Sequence, residues 1–330
     1  MITNNAYVAM FSILAFCVSS SALQAADHVT RSKEPILPIP LSTDLNQDKV
    51  SLGEKLFNDV RLTDNNSMAC SSCHQLINGG DDNLAIGVTP DGKSHVINTP
   101  TVFNASYNFR QGWDGATANL KDQIKKLAPN HLAANADWET LLTKIDDDSE
   151  YRKLFNRIYL DGITKENYLD SLTEFEKSLV TPNARFDQYL RGDNDAISAE
   201  EKEGYTLFKD YGCVSCHQGI NIGGNLYQKF GIFYNYFDKR GDITTADYGR
   251  LNITHRERDR YVFKVPTLRN IELTAPYFHD GKTASLKSAI LIMGEMQLGV
   301  VISNKDALKI EMFLKTLTGE YKGTLLSAGK

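Results

Sequence analysis

Two short stretches of this sequence carry the side chains whose spacing has the clearest chemical meaning. Both are Cys-x-x-Cys-His runs, one at Cys70–His74 and the other at Cys213–His217. Two thiols three residues apart on one helical turn can each form a thioether to the edge of a porphyrin, and the following histidine can then bind the iron. The pattern therefore predicts two covalently bound haem c groups, and the residues that would hold them are Cys70, Cys73, His74, Cys213, Cys216 and His217.

A zinc site and a dithiol redox pair are the alternatives for these cysteines. A redox dithiol has no reason to be followed by histidine in both places. Zinc ligand pairs are usually closer together than the 143 residues that separate these two motifs. Two haem-attachment sites are therefore the favoured interpretation.

Length, charge and the N-terminus narrow the class of protein. The 330 residues are enough for two domains, and the net charge of −5 argues against a nucleic-acid partner. An apolar run at residues 6–18, followed by small residues, predicts a signal peptide over residues 1–25. No Lys or Arg precedes the run, which departs from the usual signal-peptide pattern. An uncleaved anchor is the alternative, but the run is shorter than the roughly 20 apolar residues that a spanning helix needs. We therefore expect export to the periplasm, where thioether attachment of haem normally takes place.

The second half of the sequence repeats the first. The matching pairs are Gly53–Asp59 with Gly204–Asp210, Pro100–Asn104 with Pro266–Asn270, and Trp113–Gly115 with His279–Gly281. A repeat on this scale indicates an internal duplication. It predicts a mainly α protein of two cytochrome c-type domains, residues 26–181 and 182–330, each with one covalent haem c. The second copy carries an insertion rich in aromatic residues between Asn225 and Val262.

Helical patterns place the first haem motif. A helix is expected at Asp48–Val60, just ahead of Cys70, and a helix-rich region follows at Ala118–Leu179. Within that region Thr164 is a plausible N-cap for a helix over Lys165–Leu179, where apolar residues recur at helical spacing.

The two copies differ where a second axial ligand would lie. Met293 follows the His279–Gly281 segment, and the matching residue 166 positions earlier is Leu127. A thioether sulfur can complete a His/Met iron, and leucine cannot bind iron at all. The alternatives are that Met293 is a core methionine or that Met296, three residues on, is the ligand. We expect a closed, high-potential second haem, whereas the first must find another ligand or leave its distal face open.

These features resemble the bacterial dihaem cytochrome c peroxidase family over essentially the whole mature chain. The most specific segments are Ser178–Asp187, Tyr261–Asn270, Thr274–Gly281 and Met293–Gly299. The resemblance implies reduction of hydrogen peroxide to water at a low-potential N-terminal haem. It implies that the C-terminal haem takes electrons singly from a small soluble cytochrome c or cupredoxin, with Trp113 on the route between the haems. It also implies a homodimer.

The same resemblance implies a calcium ion between the domains. Its ligands would be the side chain of Asn98 and the backbone carbonyls of Thr274 and Pro276. Oxygen ligands of this kind suit a hard cation.

The chain departs from the family pattern at two places near the first haem. Many relatives have a loop histidine on the resting iron. Here Ile86–Pro90 contains none, so His95 is the nearest candidate ligand, with an exposed loop histidine as the alternative. The distal Gln of the family corresponds to Gln123, whereas its Glu falls on Ala133. Moving a proton between the peroxide oxygens needs an acid or base, and His131 is the candidate substitute.

Two other functions compete with a peroxidase. The missing acid at Ala133 leaves open a non-catalytic dihaem electron carrier or redox sensor. A related dihaem enzyme that oxidises protein side chains is the second alternative. In the best-known such enzyme a tyrosine replaces the methionine ligand, so Met293 disfavours it.

Overall fold

The structure is a computed structural model, and it describes residues 34–63, 66–88, 96–132 and 137–327, with only the backbone given for 129–132. Within these residues the protein is mainly α-helical, with two small antiparallel sheets. The predicted helical fold class is therefore confirmed. The predicted signal peptide at residues 1–25, His95 and Ala133 lie outside the described residues.

The N-terminal half of the described chain is built from helices that surround the first haem motif. They are α1 (Gln47–Asn58), α2 (Cys70–Cys73), α3 (Leu120–Leu132), α4 (Trp138–Asp146), α5 (Ser149–Ile158) and α6 (Lys165–Ser178). Two of these confirm predicted helices, α1 and α6, with ends that differ by one or two residues. Thr164 caps α6 as expected, because its side chain accepts a hydrogen bond from the Asn167 N–H at 3.2 Å.

The C-terminal half repeats this plan and adds short strands. Its helices are α7 (Arg185–Leu190), α8 (Ala199–Asp210), α9 (Tyr236–Arg240), α10 (Leu251–Thr254), α11 (Leu286–Ile292) and α12 (Asn304–Lys315). Strands β1 (Tyr227–Lys229) and β2 (Val262–Lys264) pair antiparallel, with Tyr227 opposite Lys264. They bring together the two ends of the predicted insertion. A second hairpin, β3 (Glu320–Tyr321) and β4 (Thr324–Leu325), follows α12.

In each half a glycine allows two helices to pack closely. A Cβ placed on Gly53 in α1 would lie 2.2 Å from the backbone oxygen of Ser171 in α6. A Cβ placed on Gly204 in α8 would lie 2.0 Å from the backbone oxygen of Lys309 in α12. No real Cβ fits at such distances, so the α1–α6 and α8–α12 crossings both depend on glycine.

The segments that follow the helix pairs repeat as well. The Thr181 N–H donates to the Asn104 side-chain oxygen at 2.9 Å, and the Gly319 N–H donates to that of Asn270 at 3.1 Å. Both asparagines have left-handed backbones, with φ of 60° and 59°. Asparagine tolerates this conformation better than most residues. The sequence match between Pro100–Asn104 and Pro266–Asn270 therefore corresponds to the same local structure in both halves.

Buried apolar side chains form three groups. The first includes Phe57 and Phe175 and fills the N-terminal half, whereas the second is centred on Phe313 and fills the C-terminal half. The third is an aromatic cluster, which we define by its buried members Phe230, Tyr236, Phe237, Tyr261, Phe263 and Met296. The predicted domain boundary near residue 181 stays a prediction. No helix among the described residues has the length and apolar character needed to cross a membrane.

The α1–α6 crossing yields a stability prediction. Glycine to alanine in a helix normally gains about 1 kcal/mol from propensity alone. In Gly53→Ala the added methyl group would meet the Ser171 backbone. Overpacking of this kind costs about 1–3 kcal/mol, so we expect a lower melting temperature in a thermal unfolding scan of the holoprotein.

Ser51→Ala in the exposed part of the same helix is the matched control, and it should change stability by less than about 0.5 kcal/mol. An unchanged or raised melting temperature for Gly53→Ala would contradict the close crossing.

Candidate functional site

The first haem motif presents its thiols and histidine from one helical turn. Helix α2 places Cys70 and Cys73 on the same side, and the His74 N–H donates to the Cys70 carbonyl oxygen at 2.9 Å. The His74 Nδ1 lies 3.2 Å from the Gly80 carbonyl oxygen. A carbonyl at this distance holds the proton on Nδ1, which makes Nε2 the ring atom able to bind iron.

The second motif has the same geometry, although it begins in a 3₁₀ turn at Cys213–Ser215. The His217 N–H donates to the Cys213 carbonyl oxygen at 3.0 Å, and its Nδ1 lies 3.3 Å from the Ile222 carbonyl oxygen. Burial lowers the pKa of His217 to about 4. The imidazole is therefore neutral at physiological pH, which is the form that binds a metal.

A cavity lies beside the first motif, and its mostly apolar wall suits a flat, largely apolar cofactor. Its wall includes Cys70, Cys73 and His74 from the motif. The rest of the wall is largely apolar and comes mainly from α1, α3 and α6. It includes Leu56, Phe57, Leu62, Ile124, Leu127, Ala128 and Leu172. Thiols, histidine and an apolar wall are what a covalent haem requires, so the residues present fit haem c.

Helix α3 supplies the predicted distal residues to this cavity. Gln123 and Leu127 both line it. The Gln123 side-chain oxygen accepts a hydrogen bond from the Thr117 hydroxyl at 2.6 Å, which fixes the orientation of the amide. The backbone of His131 lies near the end of the same helix, and its side chain lies outside the described part of the structure.

The structure distinguishes the two candidate methionines. Helix α11 ends at Ile292, and a π-helical segment over Met293–Leu298 follows it. Met296 is 2% exposed and belongs to the aromatic cluster, whereas Met293 is only half-buried at the edge of that cluster. The wider π turn separates residues that a regular α-helix would place on nearly one face. Met296 therefore has the environment of a core methionine.

The predicted insertion holds this π-helical segment in place. The Phe233 N–H donates to the Met296 carbonyl oxygen at 3.1 Å, and the Gly231 N–H donates to the Gln297 side-chain oxygen at 2.9 Å. The π-helical segment that begins at Met293 is thus fixed by the insertion, a contact that the sequence repeat did not predict.

Trp113 lies at the junction of the two halves. Its indole N–H donates to the Asn98 carbonyl oxygen at 2.9 Å, and its ring lies 6.3 Å from that of His279. The Lys264 N–H donates to the Trp113 carbonyl oxygen, and the Asn98 N–H donates to the His279 carbonyl oxygen, both at 2.8 Å. Because Asn98 corresponds to Lys264 and Trp113 to His279 in the sequence repeat, these two bonds are equivalent. Each half holds the aromatic residue of the other.

A buried charged network supports His279. The His279 Nε2 lies 2.7 Å from a carboxylate oxygen of Asp247. Arg240 donates to both Asp247 oxygens, at 2.9 and 2.6 Å, and to Asp280 at 2.5 Å. The Asp247, His279 and Asp280 ligand atoms lie within 4.8 Å of one another, a spacing that a cation accepts. Arg240 already supplies the positive charge there. Sequence reasoning missed this network, because its members lie up to 40 residues apart in the insertion and beyond it.

The loop at residues 83–85 contacts both parts of the predicted calcium site. The Asn98 side-chain N–H donates to the Leu84 carbonyl oxygen at 2.9 Å. The Asn83 side-chain N–H donates to the Leu273 carbonyl oxygen at 2.7 Å, next to Thr274. Asn98 is 5% exposed. The loop therefore connects Asn98 to the segment that carries Thr274 and Pro276.

Comparison with known proteins places this geometry in a family. Residues 47–195 match a family model described as di-haem cytochrome c peroxidase. The chain is 41% identical over 304 residues to the cytochrome c551 peroxidase of Nitrosomonas europaea, covering 92% of this chain and 90% of the relative. The chain belongs to the di-haem cytochrome c peroxidase family. This confirms the family predicted from the sequence, and membership implies haem c as the cofactor.

Two further comparisons agree. The chain is 40% identical over 290 residues to the cytochrome c peroxidase of Escherichia coli, covering 87% of this chain and 62% of that relative. A crystal structure of a MauG-like protein associated with microbial copper homeostasis superimposes with a TM-score of 0.74 at 22% identity. The superposition covers 87% of this chain and 94% of the MauG-like protein, and it shows that the two share a fold.

The Asp247 network yields a second prediction. Burial opposes ionisation of Asp247, but hydrogen bonds from His279 and Arg240 outweigh it and hold its pKa well below the usual value. Asp247→Asn removes one of the two carboxylates that pair with Arg240 and leaves Asp280, so we expect a loss of about 3 kcal/mol in unfolding free energy at neutral pH. Because the folded pKa is depressed, the wild-type advantage should shrink as pH falls below about 4. Denaturant unfolding at several pH values measures both effects.

Glu295→Gln is the control. Glu295 forms an exposed ion pair with Lys239, which lies next to Arg240 in helix α9. It should cost less than about 1 kcal/mol. Equal losses for the two variants would contradict the structural role of the buried network.

Proposed function

We propose that this protein is a dihaem peroxidase that reduces hydrogen peroxide to water with electrons from a small soluble cytochrome c or cupredoxin. The observation that carries the proposal is the difference between two equivalent positions. Leu127 lines the cavity beside Cys70, Cys73 and His74, whereas its counterpart Met293 lies half-buried against the aromatic cluster. One iron site would have an open distal face and the other a sulfur ligand.

Four cysteines and two histidines would hold two haem groups. Bound haem c supplies the redox-active irons for the electron transfers and for peroxide reduction. His74 and His217 are oriented by backbone carbonyls, so each would present Nε2 to its iron. Met293 would bind the iron of the second haem through sulfur and raise its potential, whereas Leu127 has no atom that could bind the first.

Trp113 would lie on the electron route between the two sites. Its ring contacts His279 and the edge of the aromatic cluster, and its carbonyl oxygen and its indole N–H are both hydrogen-bonded, to Lys264 and Asn98. Two sites suit the stoichiometry, because peroxide needs two electrons and the donor delivers one at a time.

Peroxide reduction at the first site needs a group that can move a proton. Gln123 would orient peroxide through its amide, which Thr117 fixes. Gln123 cannot donate a proton in the way a carboxylic acid does, and the family acid position is Ala133. We propose His131 as the group that moves the proton, because histidine titrates near neutral pH. His95 would be a ligand of the first iron only in the resting state and would leave when the second haem is reduced, so the open distal face would belong to the half-reduced protein.

Four further properties belong to the same proposal. The matching helix crossings at Gly53 and Gly204 support an origin by duplication, with one haem domain on each side of residue 181. Asn98, Thr274 and Pro276 would bind calcium at the loop that connects them. Family resemblance supports a homodimer, and the apolar N-terminus supports export to the periplasm.

Single-turnover mixing tests the function. The holoprotein with only its high-potential haem reduced is mixed with stoichiometric peroxide in a stopped-flow instrument. We expect rapid loss of the ferrous absorption band, because the stored electron is consumed. A ferrous band that persists in the presence of peroxide would contradict the peroxidase and favour an electron carrier.

Met293→Leu tests the ligand that closes the second site. Loss of the thioether should lower the potential of this haem by about 59 mV or more, a tenfold change in its reduction equilibrium, and abolish the methionine–iron charge-transfer band. Redox titration followed by absorption spectroscopy measures both.

Met296→Leu is the matched variant, since it conserves volume in the aromatic cluster and should keep the band. The opposite pattern, with the band lost only in Met296→Leu, would transfer the ligand role to Met296.

A further inference from the structure

One ionisable group in the wall of the first haem cavity has no role in the function proposed above. Glu176 lies in the last turn of α6 and lines the same cavity as Cys70, His74 and Gln123. A carboxylic acid among apolar side chains needs an explanation, since burying a charge without a partner is costly.

The other half of the protein shows that the fold does not need a carboxylate here. Two pairs of contacts show which residues are equivalent. The backbone of Ser171 packs against Gly53, and that of Lys309 packs against Gly204 in the same way. Thr181 donates to Asn104, and Gly319 donates to Asn270 in the same way. The equivalent residues are 138 positions apart in both cases.

The residue equivalent to Glu176 is therefore Leu314, which is 3% exposed in the second core. The same helical position thus carries leucine in one half and glutamate in the other.

Glu176 also lacks a neutralising partner. Across the described residues no hydrogen bond or ion pair to its carboxylate is found, and burial raises its pKa to about 8. Glu174, two residues earlier, differs in this respect. It accepts hydrogen bonds from Lys177 at 3.3 Å and from the Asn46 N–H at 3.1 Å.

Among the residues that the structure describes, the charged and titratable groups around Glu176 include no Lys or Arg. Tyr168 from α6 interacts electrostatically with its carboxylate, whereas Cys70 from α2 would be a neutral thioether in the holoprotein. His74 and Asp59 line the same cavity, and α3 contributes the neutral Gln123. The described wall of the cavity contains no Lys or Arg. A charge on Glu176 would therefore act on the cofactor with little compensation from the protein.

We propose that Glu176 is a redox-tuning residue, whose carboxylate lowers the reduction potential of the haem held by Cys70, Cys73 and His74 and takes up a proton when that haem is reduced. The inference rests only on the haem-binding part of the proposed function. A negative charge in an apolar cavity favours the ferric state, which carries one more positive charge than the ferrous state. By linkage, the added electron favours protonation of the carboxylate to the same extent.

The step balances in charge and atoms. One electron from the donor, or from a mediator in a titration, enters the iron and reduces it from ferric to ferrous. One proton from solvent binds the Glu176 carboxylate. The charge in the cavity then stays constant, and no other bond forms or breaks. Because Leu314 occupies the equivalent position, the second haem should have no such linkage from this site.

Potentiometric titration of the holoprotein between pH 6 and 10 tests the proposal. In the wild type, the potential of the N-terminal haem should fall as pH rises. In Glu176→Gln, the potential at the alkaline end should be higher by at least the equivalent of a tenfold change in the reduction equilibrium, about 59 mV for one electron. Its pH dependence should be much weaker.

Glu174→Gln is the matched control on the same helix and should keep the wild-type potential and slope. Glu176→Leu, which installs the residue of the other half, should reproduce the effect of Glu176→Gln. Haem content of each variant is checked as two haems per chain.

Wild-type potentials in both Glu176 variants would overturn the proposal. A pH-independent wild-type potential would do the same even if neither variant retained its haems. A protein that shows this linkage but does not reduce peroxide would refute the proposed function and leave the redox role of Glu176 intact.

Discussion

The arrangement of the site depends on a pair of backbone hydrogen bonds exchanged between the two halves. The Lys264 N–H binds the Trp113 carbonyl, and the Asn98 N–H binds the His279 carbonyl. Backbone groups buried at such a junction must be paired, so this exchange fixes the register of one half against the other. It places the Trp113 indole against the His279 ring. Shifting one half by one residue against the other would break both bonds and separate the two aromatic side chains.

Several parts of this arrangement could be predicted from the sequence. Cys-x-x-Cys-His specifies a thioether pair and a ligand by its spacing alone, and the structure places these residues on one turn beside a cavity. The α6 helix and its Thr164 cap follow from local periodicity and capping chemistry. These features are local, and the forces that produce them act between residues a few positions apart.

Other parts could not be predicted, because they depend on contacts between distant segments. The π-helical segment that separates Met293 from Met296 is held by the insertion through hydrogen bonds to Phe233 and Gly231. The Arg240–Asp247 pair is visible in the sequence only as ordinary charges in a loop. In the sequence, Glu176 is one polar residue of an amphipathic helical pattern. Only its structural equivalence with Leu314 shows that the fold accepts an apolar residue at this position.

The two halves are alike in backbone and different in chemistry. Helix crossings, asparagine turns and histidine orientations recur almost unchanged, whereas the residues that would surround each iron differ. Leu127 lies where the other half has Met293, and Glu176 lies where it has Leu314. Both differences act in one direction under the proposed function. The first site is opened to a small ligand and its potential lowered, and the second is closed and its potential raised.

Carbon monoxide binding to the fully reduced holoprotein tests this asymmetry most directly. Carbon monoxide binds ferrous haem only where an axial position is open or weakly held. The account predicts one equivalent bound per chain, at the haem attached to Cys70 and Cys73, with the methionine-ligated haem unchanged in its absorption spectrum. Binding of two equivalents, or of none, would contradict the claim that one site is open and its counterpart is closed.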